Sequence, residues 1–262
     1  MRVFAGISYA LSFVIATWVG LHLLRMAART HKAPELGIGL TVFTLGFGTA
    51  GMLGGEFVAA SGRILLGQLL AITGLLLVSI GSIGLYVAIR QIYRPHSAWA
   101  TAWAALGSTV MVAAFVARLV EGGVPTPWDA TPANACFLAG RFAVYGWAAI
   151  ESFHYFALLR RRLALGIADP AVMLQILFWA LAATGIALSV STIVVGTFAL
   201  GVRPATWPAG VGVVAFLAIT SASAIWCAFM PPSWFRRLAE RFDANAAQRT
   251  ADASGGANGS QA

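Results

Sequence analysis

The stretch ILLGQLLAITGLLLVSIGSIGLYVAIR, residues 64–90, decides the fold of this chain. It carries no charged residue before its final arginine, and it exceeds the roughly 20 residues that a helix needs to cross a hydrocarbon core about 30 Å thick. Backbone amides in lipid have no water to bind, so a run of this kind has to be helical. The stretch therefore predicts a transmembrane helix.

Comparable apolar runs recur along the chain and predict an all-α polytopic membrane protein, a bundle of seven transmembrane helices. Of the 262 residues, 59% are hydrophobic and 10% are charged, whereas soluble domains are about 25% charged. The runs do not alternate between apolar and polar residues as the strands of a membrane barrel do. The predicted spans, with ends good to about four residues, are 3–26, 36–60, 64–90, 99–120, 134–159, 171–200 and 208–230.

The chain changes character after the seventh span, in the stretch MPPSWFRRLAERF. Its proline pair is expected to end the helix, and two aromatic residues then precede Arg236 and Arg237, which is typical of a segment anchored at an anionic membrane surface. The residues beyond are mostly Ala, Gly, Ser, Asn and Gln, a composition that favours disorder. We therefore predict a seven-helix domain at 1–232, a juxtamembrane amphipathic segment at 233–242 and a disordered cytoplasmic tail at 243–262.

Arginine and lysine placement predicts the orientation, because cytoplasmic loops carry an excess of both. One side of the bundle holds Arg2, Arg63, Arg118 and Arg203. The other holds Arg25, Arg29, Lys32, Arg90, Arg94, Arg160, Arg161, Arg162, Arg236, Arg237, Arg241 and Arg249. The prediction is a multi-pass protein of the cytoplasmic (inner) membrane with its N-terminus outside and its C-terminus inside. Headgroup contact explains the net charge of +8, so we expect the lipid bilayer, and no nucleic acid, as a partner.

Two ionisable residues lie inside the fifth predicted span, Glu151 and His154, one helical turn apart. Glu151 is about 13 Å along the helix from Arg160, where a carboxylate is costly unless it is paired, protonated or hydrated. His22 of the first span is expected at a similar depth. The three residues are candidates for an intramembrane polar site. Three interpretations are open. In the first, the residues bind a metal or haem, and in the second, they relay protons or line a polar pocket. In the third, Glu151 pairs with a histidine or an arginine and holds helices together.

A second set of charged residues is expected near the outer ends of the helices. It comprises Glu56, Arg118, Glu121, Asp129 and Arg141. Charges of both signs at one depth predict either an outward-facing ligand pocket or a ring of salt bridges that caps the bundle.

Small residues recur on one face of the second and third spans. They are Thr44, Gly48, Gly51 and Gly55 on the second, and Gly67, Ala71, Gly74 and Gly81 on the third. Such stripes let helix backbones approach closely in lipid. We expect them to pack within one bundle, with an oligomer contact as the alternative.

Several classes of protein are excluded or disfavoured by what the sequence omits. Lys32 is the only lysine and lies outside the last helix, where a retinal protein needs one. No phosphate-binding glycine loop, nucleophile elbow or paired zinc-ligand motif is present. We therefore predict no enzymatic activity, no cofactor and no metal site. No proline interrupts a span, which disfavours a transporter with broken helices.

Three inner-loop stretches carry a resemblance to known proteins. They are RTHKAPELGIGL (29–40), RRRLALGIADP (160–170) and PPSWFRR (231–237). Together they resemble a loose group of uncharacterised bacterial seven-helix membrane proteins, similar to modules that precede signalling output domains. The resemblance implies a membrane sensor, and because this sequence shows no output domain after the seventh helix, the signal is expected to pass to a separate partner.

The inner motifs also have a purely structural interpretation. Gly166 suits a turn, Asp169 suits a helix N-cap, and Pro170 suits the first helical position. The alternative is a docking surface for a cytoplasmic signalling protein, formed by Arg160, Arg161, Arg162, Arg236 and Arg237.

The sequence thus favours a receptor-like or sensor-like integral membrane protein that signals through a partner in trans. Its small-molecule ligand is expected to enter an outward-opening pocket among the second, fourth and fifth helices, near Glu56, Arg118 and Arg141. The second hypothesis is a small-molecule or proton-coupled transporter that uses Glu151 and His154. The third is a haem- or metal-binding membrane protein.

Overall fold

The computed structural model describes residues 2–31, 33–202, 207–235 and 237. Over these residues the chain forms long α-helices with short connections and no strand. The helices are α1 (Arg2–Thr30), α2 (Ala33–Ala60), α3 (Ile64–Tyr93), α4 (Ala98–Glu121), α5 (Pro132–Ala164), α6 (Pro170–Val194) and α7 (Pro208–Phe229). A π-helical turn, Val195–Ala199, extends α6. Every predicted span coincides with one of these helices.

The helices α5 and α6 begin in the same way, each with a capping side chain followed by a proline. Thr131 and Asp169 are the N-caps, and their side chains accept hydrogen bonds from the amides of Asn134 and Ala171 at 3.2 and 2.7 Å. A proline follows each cap, where its missing amide costs nothing. Gly166 turns the chain between the helices at a φ of +71°. The predicted turn and cap before α6 are confirmed.

The helices pack as a closed ring in chain order. Each helix contacts its neighbours in sequence, α7 returns to contact α1, and α3 also reaches α5 across the ring. The main hydrophobic core includes Leu75, Tyr86, Met111, Phe137 and Tyr145. The ring leaves an interior in which residues of several helices meet.

The closest approach is between α2 and α3, along the two small-residue stripes. A Cβ at Gly74 would lie 2.5 Å from both the Gly48 carbonyl oxygen and the Met52 amide nitrogen. A Cβ at Gly55 would lie 2.6 Å from the Ala71 amide nitrogen and the Gly67 carbonyl oxygen. No side chain fits at these points, so the predicted packing of the stripes within one bundle is confirmed.

Among the described residues, six helices are long and apolar enough to cross a membrane: α1, α2, α3, α4, α6 with its π-helical turn, and α7. The exception is α5, which contains Arg141, Glu151 and three arginines near its end. The protein is therefore an all-helical integral membrane protein. The expectation of seven spans exceeds the six helices that meet the length and hydropathy requirements, because the charges of α5 lower its hydropathy.

A small second hydrophobic cluster joins the C-terminal segment to α5 and α6. Phe235 is fully buried there against Leu159, Leu163, Met173 and Leu174. The adjacent Trp234 is half exposed and packs edge-on against Phe178 of α6. The expected membrane anchor is thus partly a protein contact. Residues 238–262, which include the predicted tail, lie outside the described residues.

Candidate functional site

A cavity of about 430 Å³ lies between α1, α2, α6 and α7. Its lining is mostly apolar and includes Phe13, Met52, Ile186, Val190 and Ile225. Pro127 and Trp128 of the α4–α5 loop also line it, so the cavity extends to the end of the bundle that this loop covers. Its size falls within the range of about 300–1,000 Å³ that is common for small-molecule sites.

Arg141 of α5 is the one charged residue among the described residues that line this cavity. Its side chain is in the protein interior, with the residue only 9% exposed, and its guanidinium carbon lies 5.8 Å from the centre of the Phe137 ring. The Nε atom is buried without a hydrogen-bond partner, and none of the ion pairs between described residues includes Arg141. A buried cation without a counter-ion is costly and calls for a functional explanation.

Two serine residues of the cavity wall also have a buried polar atom without a hydrogen-bond partner. The Oγ atoms of Ser12 on α1 and Ser221 on α7 are buried and have no hydrogen-bond partner. Buried polar groups are normally satisfied within the protein or by water. An apolar cavity with a few unsatisfied polar groups has the general composition of a ligand site.

The charged residues that the sequence predicts at the outer ends of the helices, other than Arg141, form a network that organises the α4–α5 loop. Arg118 is 4% exposed and donates from Nη2 to Asp129 Oδ2 at 2.8 Å and to the Thr126 carbonyl at 2.9 Å. Asp129 also accepts from the amide of Thr126 at 2.9 Å and from its hydroxyl at 2.8 Å. The buried guanidinium thus neutralises one carboxylate and ties the loop to α4.

Glu121 and Glu56 attach the same loop at its edges. Glu121 lies 3.7 Å from Arg118 and accepts a hydrogen bond from Thr131 Oγ1 at 2.9 Å. Glu56 of α2 accepts from Trp128 Nε1 at 3.1 Å, which holds the indole over the cavity end. Of the predicted outer set, four residues therefore belong to one loop network, and Arg141 lies apart from it in the cavity.

At the other end of the bundle, Glu151 of α5 is paired with an arginine. Arg94, directly after α3, donates from Nε to both carboxylate oxygens at 3.0 and 3.2 Å. Trp147 donates from Nε1 to Oε1 of the same carboxylate at 3.3 Å. Glu151 is buried, whereas the Arg94 side chain is 40% exposed. The carboxylate therefore links α3 to α5, one of the arrangements expected from the sequence.

The two histidines predicted beside Glu151 do not join it. His154 and His22 are both exposed. Among the described residues, no three His, Cys, Asp or Glu side chains come close enough together to hold a metal ion. Tyr93 and Ser152 instead share a hydrogen bond of 2.9 Å next to the Arg94–Glu151 pair. The polar groups at this end connect helices and do not line the cavity.

The predicted partner surface is exposed where the structure describes it. Arg160, Arg161 and Arg162 are exposed at the end of α5, and Arg237 is exposed after α7. Arg236 lies outside the described residues. Phe235 packs against Leu159 and Leu163, which flank these three arginines in the sequence of α5.

Sequence reasoning assigned Arg94 only to the inner charge set and did not single out Ser12 or Ser221. Glu151 could have indicated its pairing with Arg94 from the sequence. A buried carboxylate needs a partner, and a long arginine side chain at a helix end can reach inward. The two serines lie in largely apolar helices, and Ser221 is one of three neighbouring hydroxyl residues, with Thr220 and Ser223. Most such hydroxyls bond to their own helix, so sequence alone does not single these two out.

The fold and its apolar helices define an integral membrane protein. No protein-family model, curated protein or solved structure matches the chain.

Proposed function

We propose that this protein is a receptor-like or sensor-like membrane protein that binds a small molecule in the cavity and has no catalytic activity of its own. The observation that carries the proposal is Arg141, a buried cation with an unpaired Nε that lines an apolar cavity. Retaining such a costly group favours a function over a role in stability.

The composition of the cavity supports binding in preference to catalysis. The described lining residues include serines, one arginine and one tyrosine, but no histidine, cysteine or carboxylate. Proton transfer in catalysis usually employs one of those absent groups. Glu151, the remaining interior carboxylate, is paired with Arg94 and lies outside the cavity lining.

We further propose seven membrane crossings, with α5 among them. A helix of 33 residues is about 50 Å long, which exceeds the hydrocarbon thickness. Its two interior charged residues, Arg141 and Glu151, are buried in the bundle and so are shielded from lipid. The helix contacts α3, α4 and α6, and its exposed face carries apolar residues such as Phe142 and Ile150.

The proposed orientation places the cavity end outside and the inner membrane surface at the α5–α6 turn. Exposed arginines at the latter end include Arg25, Arg29 and Arg160. At the cavity end, the charge of Arg118 is balanced by Asp129. This distribution agrees with the excess of cytoplasmic basic residues in membrane proteins.

The output surface in this proposal is the exposed basic end of α5, with Arg160, Arg161 and Arg162, together with the exposed Arg237. Arg141 and Arg160 lie on one helix, about 28 Å apart along its axis. A ligand that pairs with Arg141 would change the forces on α5, and the shift would reach the surface that a cytoplasmic signalling protein contacts.

Filling the cavity tests the proposal. Ala218→Phe places a ring on a lining residue of α7, and Thr220→Phe places the same ring on the exposed face of that helix. Purified proteins in nanodiscs are heated with a panel of small apolar and amphipathic compounds. We expect stabilisation of the wild type and of Thr220→Phe, and its loss in Ala218→Phe.

Flux separates a sensor from a carrier. Vesicles containing the protein are loaded with a compound that the thermal assay identifies, and its efflux is followed. The sensor proposal predicts binding without flux above that of empty vesicles. Saturable flux that Ala218→Phe abolishes would favour the transporter, and equal thermal responses of the two phenylalanine variants would refute a ligand cavity.

A further inference from the structure

We propose that the ligand of this cavity is a single-chain amphipathic monoanion, a carboxylate with an apolar tail. The inference rests on the proposed function and assigns a chemical class to its ligand. It follows from two features of the same site: a lone cation with an unpaired donor, and a wall that is otherwise almost wholly apolar.

The head of the ligand is defined by Arg141. A guanidinium offers several N–H donors in a planar fork that matches the two oxygens of a carboxylate. The described residues provide no such oxygens, because the carboxylates of Glu56, Glu121 and Asp129 are already engaged by the α4–α5 loop and its anchors. The missing counter-ion is therefore expected from the ligand.

Charge balance favours a monoanion over a phosphate dianion. Arg141 supplies one positive charge, and no second cation is among the described lining residues. A dianion would leave one negative charge unbalanced beside an apolar wall, which is unfavourable. The other polar side chains of the lining, such as Ser12 and Ser221, are uncharged and add no positive charge to balance a dianion.

The tail of the ligand is defined by the cavity wall. Phe13, Met52, Val190 and Ile225 surround space that is favourable for alkyl groups. A free amphiphile fits better than a bilayer phospholipid, whose headgroup remains at the interface. Arg141 lies about 13 Å along α5 from Pro132, deeper in the bundle than the α4–α5 loop, whose Trp128 lines the end of the cavity.

Equilibrium dialysis of radiolabelled decanoate tests the inference. The protein is held in phosphatidylcholine nanodiscs, and empty nanodiscs provide the background. Unlabelled decanol, decyl phosphate and decanoate are competitors. Arg141→Gln removes the charge, and Arg63→Gln removes an exposed arginine at the same end of the bundle as a matched control.

We expect saturable binding of one decanoate per protein, weak competition by decanol and decyl phosphate, and unchanged binding by Arg63→Gln. Arg141→Gln is expected to bind at least about tenfold more weakly, since a charge-assisted pair is lost. Decanoate binding that is equal in wild type and Arg141→Gln would overturn the inference.

Two further outcomes separate this inference from the proposed function. Tighter binding of decanol or decyl phosphate than of decanoate, sensitive to Ala218→Phe, would refute the monoanion and retain the ligand cavity. A protein that binds none of these probes but is stabilised by phosphatidylglycerol nanodiscs in an Arg141-dependent way would identify a lipid headgroup, and would also overturn the inference. Thermal unfolding of each variant without probe confirms that it is folded.

Discussion

Arg94, directly after α3, donates hydrogen bonds from Nε to both carboxylate oxygens of Glu151 on α5, at 3.0 and 3.2 Å. The same carboxylate accepts from Trp147 at 3.3 Å, and the Arg94 guanidinium lies over the Trp99 ring at 5.8 Å. These contacts join α3, α4 and α5 at the end of the bundle opposite the cavity. The ion pair therefore has a structural role that its position in an apolar helix alone does not reveal.

Replacing Glu151 by Gln is expected to destabilise the protein by about 1–2 kcal/mol. Gln keeps the size of the side chain but removes the negative charge to which Arg94 and Trp147 donate hydrogen bonds. The loss stays below that of a fully buried pair because Arg94 is partly exposed and can turn to water. Reversible unfolding in mixed micelles measures the change.

Arg90→Gln is the matched control, because Arg90 bonds to Thr101 and to the Pro95 carbonyl and not to Glu151. Its effect is expected to be under about 0.5 kcal/mol. A double-mutant cycle of Arg94→Gln and Glu151→Gln should give a coupling energy near the single-mutant loss. Additive effects of the two substitutions would contradict the assigned role of the pair.

The loop that closes the cavity end is expected to depend on Arg118. Asp129→Asn weakens the 2.8 Å ion pair to a buried guanidinium and should cost about 2–4 kcal/mol. Amide hydrogen exchange of residues 122–131 should increase more than exchange elsewhere. Glu121→Gln, which alters a longer and more exposed contact, should cost less than about 1 kcal/mol. Equal exchange in both variants would show that the network does not order the loop.

Replacing Gly74 at the α2–α3 contact by alanine is expected to lower the stability of the protein. Gly74→Ala places a methyl group 2.5 Å from the Gly48 carbonyl oxygen, so the helices have to separate. The expected loss is about 1–3 kcal/mol or more. Gly54→Ala, on the same helix pair but in open space, should be neutral or slightly stabilising. A similar loss from both substitutions would point to helix propensity and not to the contact.

Arg141→Met is expected to stabilise the protein without ligand by about 1–3 kcal/mol, since a buried unpaired cation gives way to an apolar side chain of similar length. The midpoint of thermal unfolding in nanodiscs measures the change. Stability and function then oppose each other at this position, as they commonly do in binding sites. A large loss of stability in Arg141→Met would mean that the arginine is structurally satisfied.

Helix positions could be predicted from the sequence almost completely, because spans in lipid are set by long apolar runs with polar ends. The α2–α3 packing could also be predicted, since seven-residue spacing of glycine on α3 faces small residues on α2. The sequence-based prediction and the structure differ at α5, because its charged residues lower its hydropathy below that of a membrane span. Its interior charges are acceptable only because neighbouring helices bury them, and burial is a tertiary property.

The site was predicted less well, because pairing between distant residues depends on helix rotation. Sequence position gives depth in the membrane but not the direction in which a side chain points. His154 lies one turn from Glu151 and is nevertheless exposed, whereas Arg94 reaches the carboxylate from another helix. Similarly, Arg141 was grouped with Arg118 by depth, but Arg141 lines the cavity, whereas Arg118 donates a hydrogen bond to Asp129.

A crystal structure of the protein grown with bromine-labelled decanoate would test the role of Arg141 most directly. Anomalous scattering locates the bromine at the end of the tail, and the density locates the head. We predict a carboxylate within hydrogen-bond distance of the Arg141 guanidinium and bromine among the apolar residues of α1, α2, α6 and α7. Bromine found only on the outer surface of the helices, with Arg141 paired to a protein group, would contradict the assignment of this cavity as a ligand site.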